Sequence, residues 1–290
     1  MKYLVSIAVF MLMVSLGMSL RVAEVVSNLR SMTWSGWVRM VLAAFVLPPA
    51  LALILASLFR LTDGDLAGIF MIGVAPGAPF LTRSLARKGL DMNLAATYQV
   101  WAAMLVPIMV PIMIAVAASL YGREVWISTA VVLAQVAFNQ LAPLALGIIS
   151  VATVPMSRKY QPILNLLGNV ILMVAIVVAL FKMGPALTEI SPTLPLVALL
   201  LAVGCIGAIW LMRLNDPIAE ETFAICNANR FVGLALLLSG AYAHAARALP
   251  AIACYALVAP AVITAYARWY RGGRRDEATL SNGKNPVASS

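Results

Sequence analysis

The chain alternates long apolar runs with short polar intervals. Runs free or nearly free of charge cover residues 3–20, 40–59, 66–82, 92–121, 125–157, 160–181, 190–212, 222–246 and 248–267. A membrane-crossing α-helix needs ~20 apolar residues, so the pattern predicts an all-α polytopic membrane protein with about nine transmembrane helices. None of the intervals is long enough for a soluble domain. Lys2 ahead of the first run also fits a secretory signal. That run is longer than a signal core and no small-residue cleavage site follows it, so it is read as a first span.

Two runs are interrupted from within. The third contains Gly73-Val74-Ala75-Pro76-Gly77-Ala78-Pro79-Phe80, where the prolines remove backbone donors and Gly77 supplies conformations other residues resist. The eighth contains Cys226-Asn227-Ala228-Asn229-Arg230. A helix broken at membrane depth must turn its free N–H and C=O groups toward protein or a water-filled cavity. A lone guanidinium there costs at least ~2.5–3.5 kcal/mol, so Arg230 requires a cavity, a partner or a ligand. Glu220 and Glu221 lie about 15 Å away along a continuous helix, too far to pair with it. Arg230 is therefore either an anion-binding group or a donor to carbonyls freed at a helix break.

Each interrupted run is third in a group of four, spans one to four and spans six to nine, with span five between the groups. One intervening span starts the second group on the opposite face, as an inverted-topology repeat requires. Interruptions at corresponding positions in two such halves point to a transporter site near the midplane. The expected organisation is a first half 1–121 broken near 75–80, a connector 122–159, a second half 160–270 broken near 226–230, and a polar tail 271–290 without fixed structure.

Composition agrees: 63% of residues are hydrophobic and 11% charged, about half the charge of a soluble domain. The net charge of +9 would suggest nucleic acid in a soluble protein, but here the basic residues sit between spans. Arg21, Arg30, Arg39, Arg83, Arg87, Lys88, Arg158, Lys159, Arg213 and the basic tail fall on one side, and Lys2, Arg60, Arg123, Lys182 and Arg247 on the other. The positive-inside rule then places the C-terminus in the cytoplasm and the N-terminus in the periplasm, across an inner membrane. Cys205, Cys226 and Cys254 have no metal or disulfide spacing and read as packing residues. His244 reads as a loop histidine, and no metal site, nucleic-acid partner or catalytic constellation is expected.

The motif Ala75-Pro76-Gly77-Ala78-Pro79-Phe80, the following Leu85-Ala86-Arg87-Lys88-Gly89, and Asn229-Arg230-Phe231-Val232-Gly233-Leu234-Ala235-Leu236 resemble the bile acid:sodium symporter family. The resemblance implies panel and core domains, two discontinuous helices crossing in the core, and a nine-helix form that lacks one helix of the ten-helix members. It also implies a secondary active transporter of a small organic anion, with sodium as coupling ion and no other cofactor. A proton-coupled or uncoupled carrier and a non-transporting receptor are the alternatives. Substrate contacts are expected from Arg230, Asn229, Asn227, Pro76, Gly77, Ala78, Pro79, Phe80, Thr82 and Gly233, and ion-coupling ligands from Asn93, Thr97, Gln99 and Cys226. The chain also departs from the family pattern. Pro79-Phe80 stand where sodium-coupled members carry Ser-Asn, Cys226 where they carry glutamate, Arg230 where they carry glutamine, and Ala43 or Ala44 where a further glutamine is expected. Gln135, Asn139 and Gln140 on the fifth span are read as glue between helices.

Overall fold

The computed structural model describes residues 2–21, 23, 26–27, 33–77, 90–121, 129–183, 192–214, 216–240 and 245–283. Every regular element among them is helical. Seven helical segments are long and apolar enough to cross a membrane, so this is a multi-pass membrane protein; Tyr3–Ser19 is apolar but shorter. The ninefold count rests on that shorter first helix and on the third run, whose continuation past Gly77 lies outside the described residues.

In chain order the helices are α1 (Lys2–Ser19), α2 (Trp34–Leu58), α3 (Asp63–Gly73), α4 (Met92–Tyr121), α5 (Thr129–Val136, then Ala137–Leu141 and Ala142–Thr153), α6 (Gln161–Met183), α7 (Thr193–Gly207, with a further turn Ile209–Met212), α8 (Pro217–Ala228), α9 (Val232–Ser239) and α10 (Ala245–Gly283). Their boundaries have local causes. Thr33 caps α2 by accepting from the Gly36 N–H at 3.2 Å, so the helix starts six residues ahead of the apolar run. Pro155 ends α5 ahead of a 3-10 turn, Pro155–Tyr160. Asp216 caps α8, accepting from the N–H groups of Ile218 and Ala219 at 3.2 and 3.0 Å, with Pro217 at the first helical position where its missing donor costs nothing.

One expectation is corrected. The tail from 271 is helical as far as Gly283, because Arg274, Arg275, Glu277 and Ala278 are good helix formers and no proline intervenes before Pro286. Residues 284–290 lie outside the described part.

α1 packs on α5 and α6, while α10 packs on α3 and α7, and α2 on α3 and α7. The first contact is a close one. A Cβ added at Gly17 would lie 2.3 Å from the Leu144 carbonyl oxygen, and one at Gly147 would lie 2.2 Å from that of Val14, so glycines set the spacing of α1 and α5. α8 and α9 are the interior of the molecule: 89% of their most apolar window is buried.

Candidate functional site

The site begins in α2, at the sequence Leu42–Val46 followed by Leu47-Pro48-Pro49. Here the helix widens to a π turn, and the Leu47 N–H bonds the Leu42 carbonyl rather than that of Ala43. The donor that would serve Ala44 is residue 48, a proline. The carbonyls of Ala43 and Ala44 are thus released from the helix ladder at residues that are fully buried.

Two further breaks face this turn. α3 stops at Gly73, and the chain runs non-helically through Ala75 to Gly77, which takes the left-handed φ of +64°. Any other side chain would be strained at Gly77, and an added Cβ would sit 3.3 Å from Ala102 Cβ and 3.5 Å from the Tyr98 ring. α8 stops at Ala228, and Asn229 (φ −83°, ψ 81°) to Phe231 separate it from α9. The two breaks touch through their backbones, the Phe231 N–H donating to the Ala75 carbonyl at 2.9 Å.

Arg230 lies at this meeting point, 1% exposed. Its Nε donates to the Ile72 carbonyl at 3.2 Å and its Nη2 to the Gly73 carbonyl, the last turn of α3. Its Nη1 donates to the Ala44 carbonyl at 3.1 Å and to Asn227 Oδ1 at 3.4 Å. One guanidinium therefore serves carbonyls at the end of α3 and at the π turn of α2, and stands at the negative end of the α3 dipole. Among the described residues no carboxylate pairs with it. Glu221 pairs with Arg271 Nε at 2.7 Å, and Glu220 accepts from Tyr270 at 2.7 Å. Among the described residues, the guanidinium is met by carbonyl and amide dipoles.

Asn227, fully buried, completes the network. Its Nδ2 donates to the carbonyls of Ala43 (3.1 Å) and Cys205 (2.8 Å), and its Oδ1 accepts from the Tyr98 hydroxyl at 3.0 Å as well as from Arg230. Every hydrogen-bonding position of the amide that this geometry can use is taken. The Tyr98 ring meets Phe223 edge-on, with centroids 5.3 Å apart. Tyr255 of α10 caps the end of α8, its hydroxyl donating to the Ala228 carbonyl at 2.7 Å.

The structure thus brings Arg230, Asn227, Pro76 and Gly77 together at one crossing. Asn229 is half-buried at the end of α8, and Gly233 lies in the first turn of α9, where an added Cβ would come 2.8 Å from the Phe231 ring. Cys226 is buried in α8, and Thr97 and Gln99 are buried on α4 beside Tyr98. Asn93 is in the first turn of α4, and nothing is described of its side chain; Ala78, Pro79, Phe80 and Thr82 lie outside the described residues. Sequence reasoning missed two contributors, Tyr255 as a cap and the π turn with Pro48, and the partner of the Tyr98 hydroxyl, a candidate ligand on the fourth span. Only the Leu-Pro-Pro step in α2 carried a readable signal for the π turn. On α5, Gln135 Nε2 donates to the Leu237 carbonyl at 2.7 Å and the Ser6 hydroxyl donates to Asn139 at 3.1 Å, so these polar residues do join helices.

The profile of the Sodium Bile acid symporter family matches residues 6–215, more than half of the chain. The chain belongs to this family. The match includes α2, α3 and α4 and stops before α8, so Asn227 and Arg230 lie beyond it. Membership makes the protein a member of a transporter family, in keeping with its membrane-spanning helices. Among curated proteins, none matches the chain.

Proposed function

We propose that this symporter-family protein carries a small organic anion across the inner membrane by alternating access, with its N-terminus periplasmic and its C-terminus cytoplasmic. The observation that carries the reading is the buried, positively charged crossing of two interrupted helices, with no carboxylate paired to Arg230 among the described residues. Interrupted helices of this kind place a substrate site near the midplane, at the interface of two inverted halves. A cation there whose charge is met only by dipoles lowers the energy of an anion at membrane depth. Four of the five guanidinium N–H groups already serve protein oxygens. Arg230 therefore acts chiefly through its field, and direct contacts fall to groups beside it such as Asn229.

A second reading, a carrier without sodium coupling at the crossing, is favoured by one observation: the acceptors there are already engaged by Arg230. Uptake of labelled organic anions into proteoliposomes, under inward sodium or proton gradients and against protein-free vesicles, tests both. Accumulation of at least one anion is expected. Absence of accumulation for every carboxylate and sulfonate tried under any gradient would sink the transport reading.

A further inference from the structure

The sodium that family resemblance implies requires several hard oxygen ligands. The residues at the crossing do not fit it as free ligands. Cys226 offers sulfur, Ala43 and Ala44 have no side-chain oxygens, and Asn227 Oδ1 is engaged. Oxygens do converge there, however. The carbonyls of Ile72, Gly73 and Ala44 and Asn227 Oδ1, from three separate segments, all accept from one cation, the Arg230 guanidinium. The acceptors belong to the scaffold rather than to the arginine. The π turn and Pro48 release Ala44, the end of α3 releases Gly73, and Pro76 cannot give Ile72 its usual helical donor, so that carbonyl accepts from the Ala75 N–H at 3.1 Å as well as from Arg230. A sodium ion beside the guanidinium would be repelled by its charge and would find these oxygens already taken.

We infer that Arg230 is a tethered cation: its guanidinium takes the oxygens that a free sodium ion would need, so the crossing closes without sodium. A neutral side chain at 230 should convert it into a sodium-requiring crossing. What this means for coupling rests on the transport reading above. The cation site itself does not, and is tested without substrate.

The test uses the full chain purified in detergent, with no organic anion present. Thermal unfolding and equilibrium binding of radiolabelled sodium are compared in sodium chloride and in choline chloride at equal ionic strength. The wild type should show one midpoint in both salts and no sodium binding above protein-free detergent. Arg230→Gln should unfold at a lower temperature in choline chloride, recover part of that loss saturably in sodium chloride, and bind sodium. Should it fail to fold without sodium, purification in sodium chloride followed by transfer to choline chloride should unfold it. Arg230→Lys, which keeps a tethered charge, should stay indifferent to sodium. Sodium binding by the wild type, a folded Arg230→Gln that ignores sodium, or an Arg230→Gln that is unfolded in both salts would each overturn the inference. An inert uptake assay with these binding results intact would instead count against transport alone.

Discussion

Arg230 is accommodated in the interior because its donors reach oxygens on α2, α3 and α8, so its position depends on residues far away in sequence. Tyr98, Asn227 and Tyr255 hold the remaining polar groups of the break, each through a buried hydrogen bond of 3.1 Å or less. Such bonds contribute about 0.5–1.5 kcal/mol each, and more when their loss leaves a buried group unmet. The Ala228 carbonyl also accepts from the Arg230 backbone N–H at 3.0 Å, so it would not be orphaned in Tyr255→Phe. That variant should lose about 1 kcal/mol of stability, read as a lower unfolding midpoint in detergent, while keeping anion uptake. Loss of uptake at unchanged stability would assign the hydroxyl to the substrate instead.

At the scale of elements, α2 and α5 carry the same device with different consequences. Each has a five-residue π turn ending just before an X-Pro step, Leu42–Val46 before Leu47-Pro48 and Ala137–Leu141 before Ala142-Pro143. Only the α2 turn presents its released carbonyls to Asn227 and Arg230. Pro48→Ala restores a donor for the Ala44 carbonyl and competes with Arg230, so uptake should fall several-fold with no loss of thermal stability. Pro143→Ala should leave uptake near that of the wild type. Equal effects of the two substitutions on uptake would show that the α2 turn has no special link to the site.

For the whole molecule, the proposed orientation rests on the charge asymmetry of the loops and on nine spans. The basic end of α10 meets α8 through the Arg271–Glu221 pair, in which Glu221 is nearly fully buried and Arg271 is half-buried. This joins the start of α8 to the stretch expected at the cytoplasmic face. Green fluorescent protein fused after Ser290 should therefore fluoresce, and alkaline phosphatase fused after Tyr121 should be active. The opposite pattern would invert the proposed topology.

The sequence by itself determined the helical membrane class, the approximate spans and the two interruptions, because those depend on local quantities: run length, proline and glycine positions, and the cost of a charge in lipid. It also marked Arg230 as needing an explanation and left two open, an anion or freed carbonyls. Only the tertiary structure supplied those carbonyls, since an orphan C=O on α2 or α3 has no counterpart in the local pattern of α8. The prolines of α2 signal a weakened helix ladder in the chain but not what meets its freed carbonyls. Their role emerged only where the fold carries residues 184 and 186 positions away, Asn227 to Ala43 and Arg230 to Ala44, within hydrogen-bonding distance. Hydrogen bonds act over about 3 Å in space and are blind to separation along the chain, which is why the spans could be read in advance and the partners of Arg230 could not.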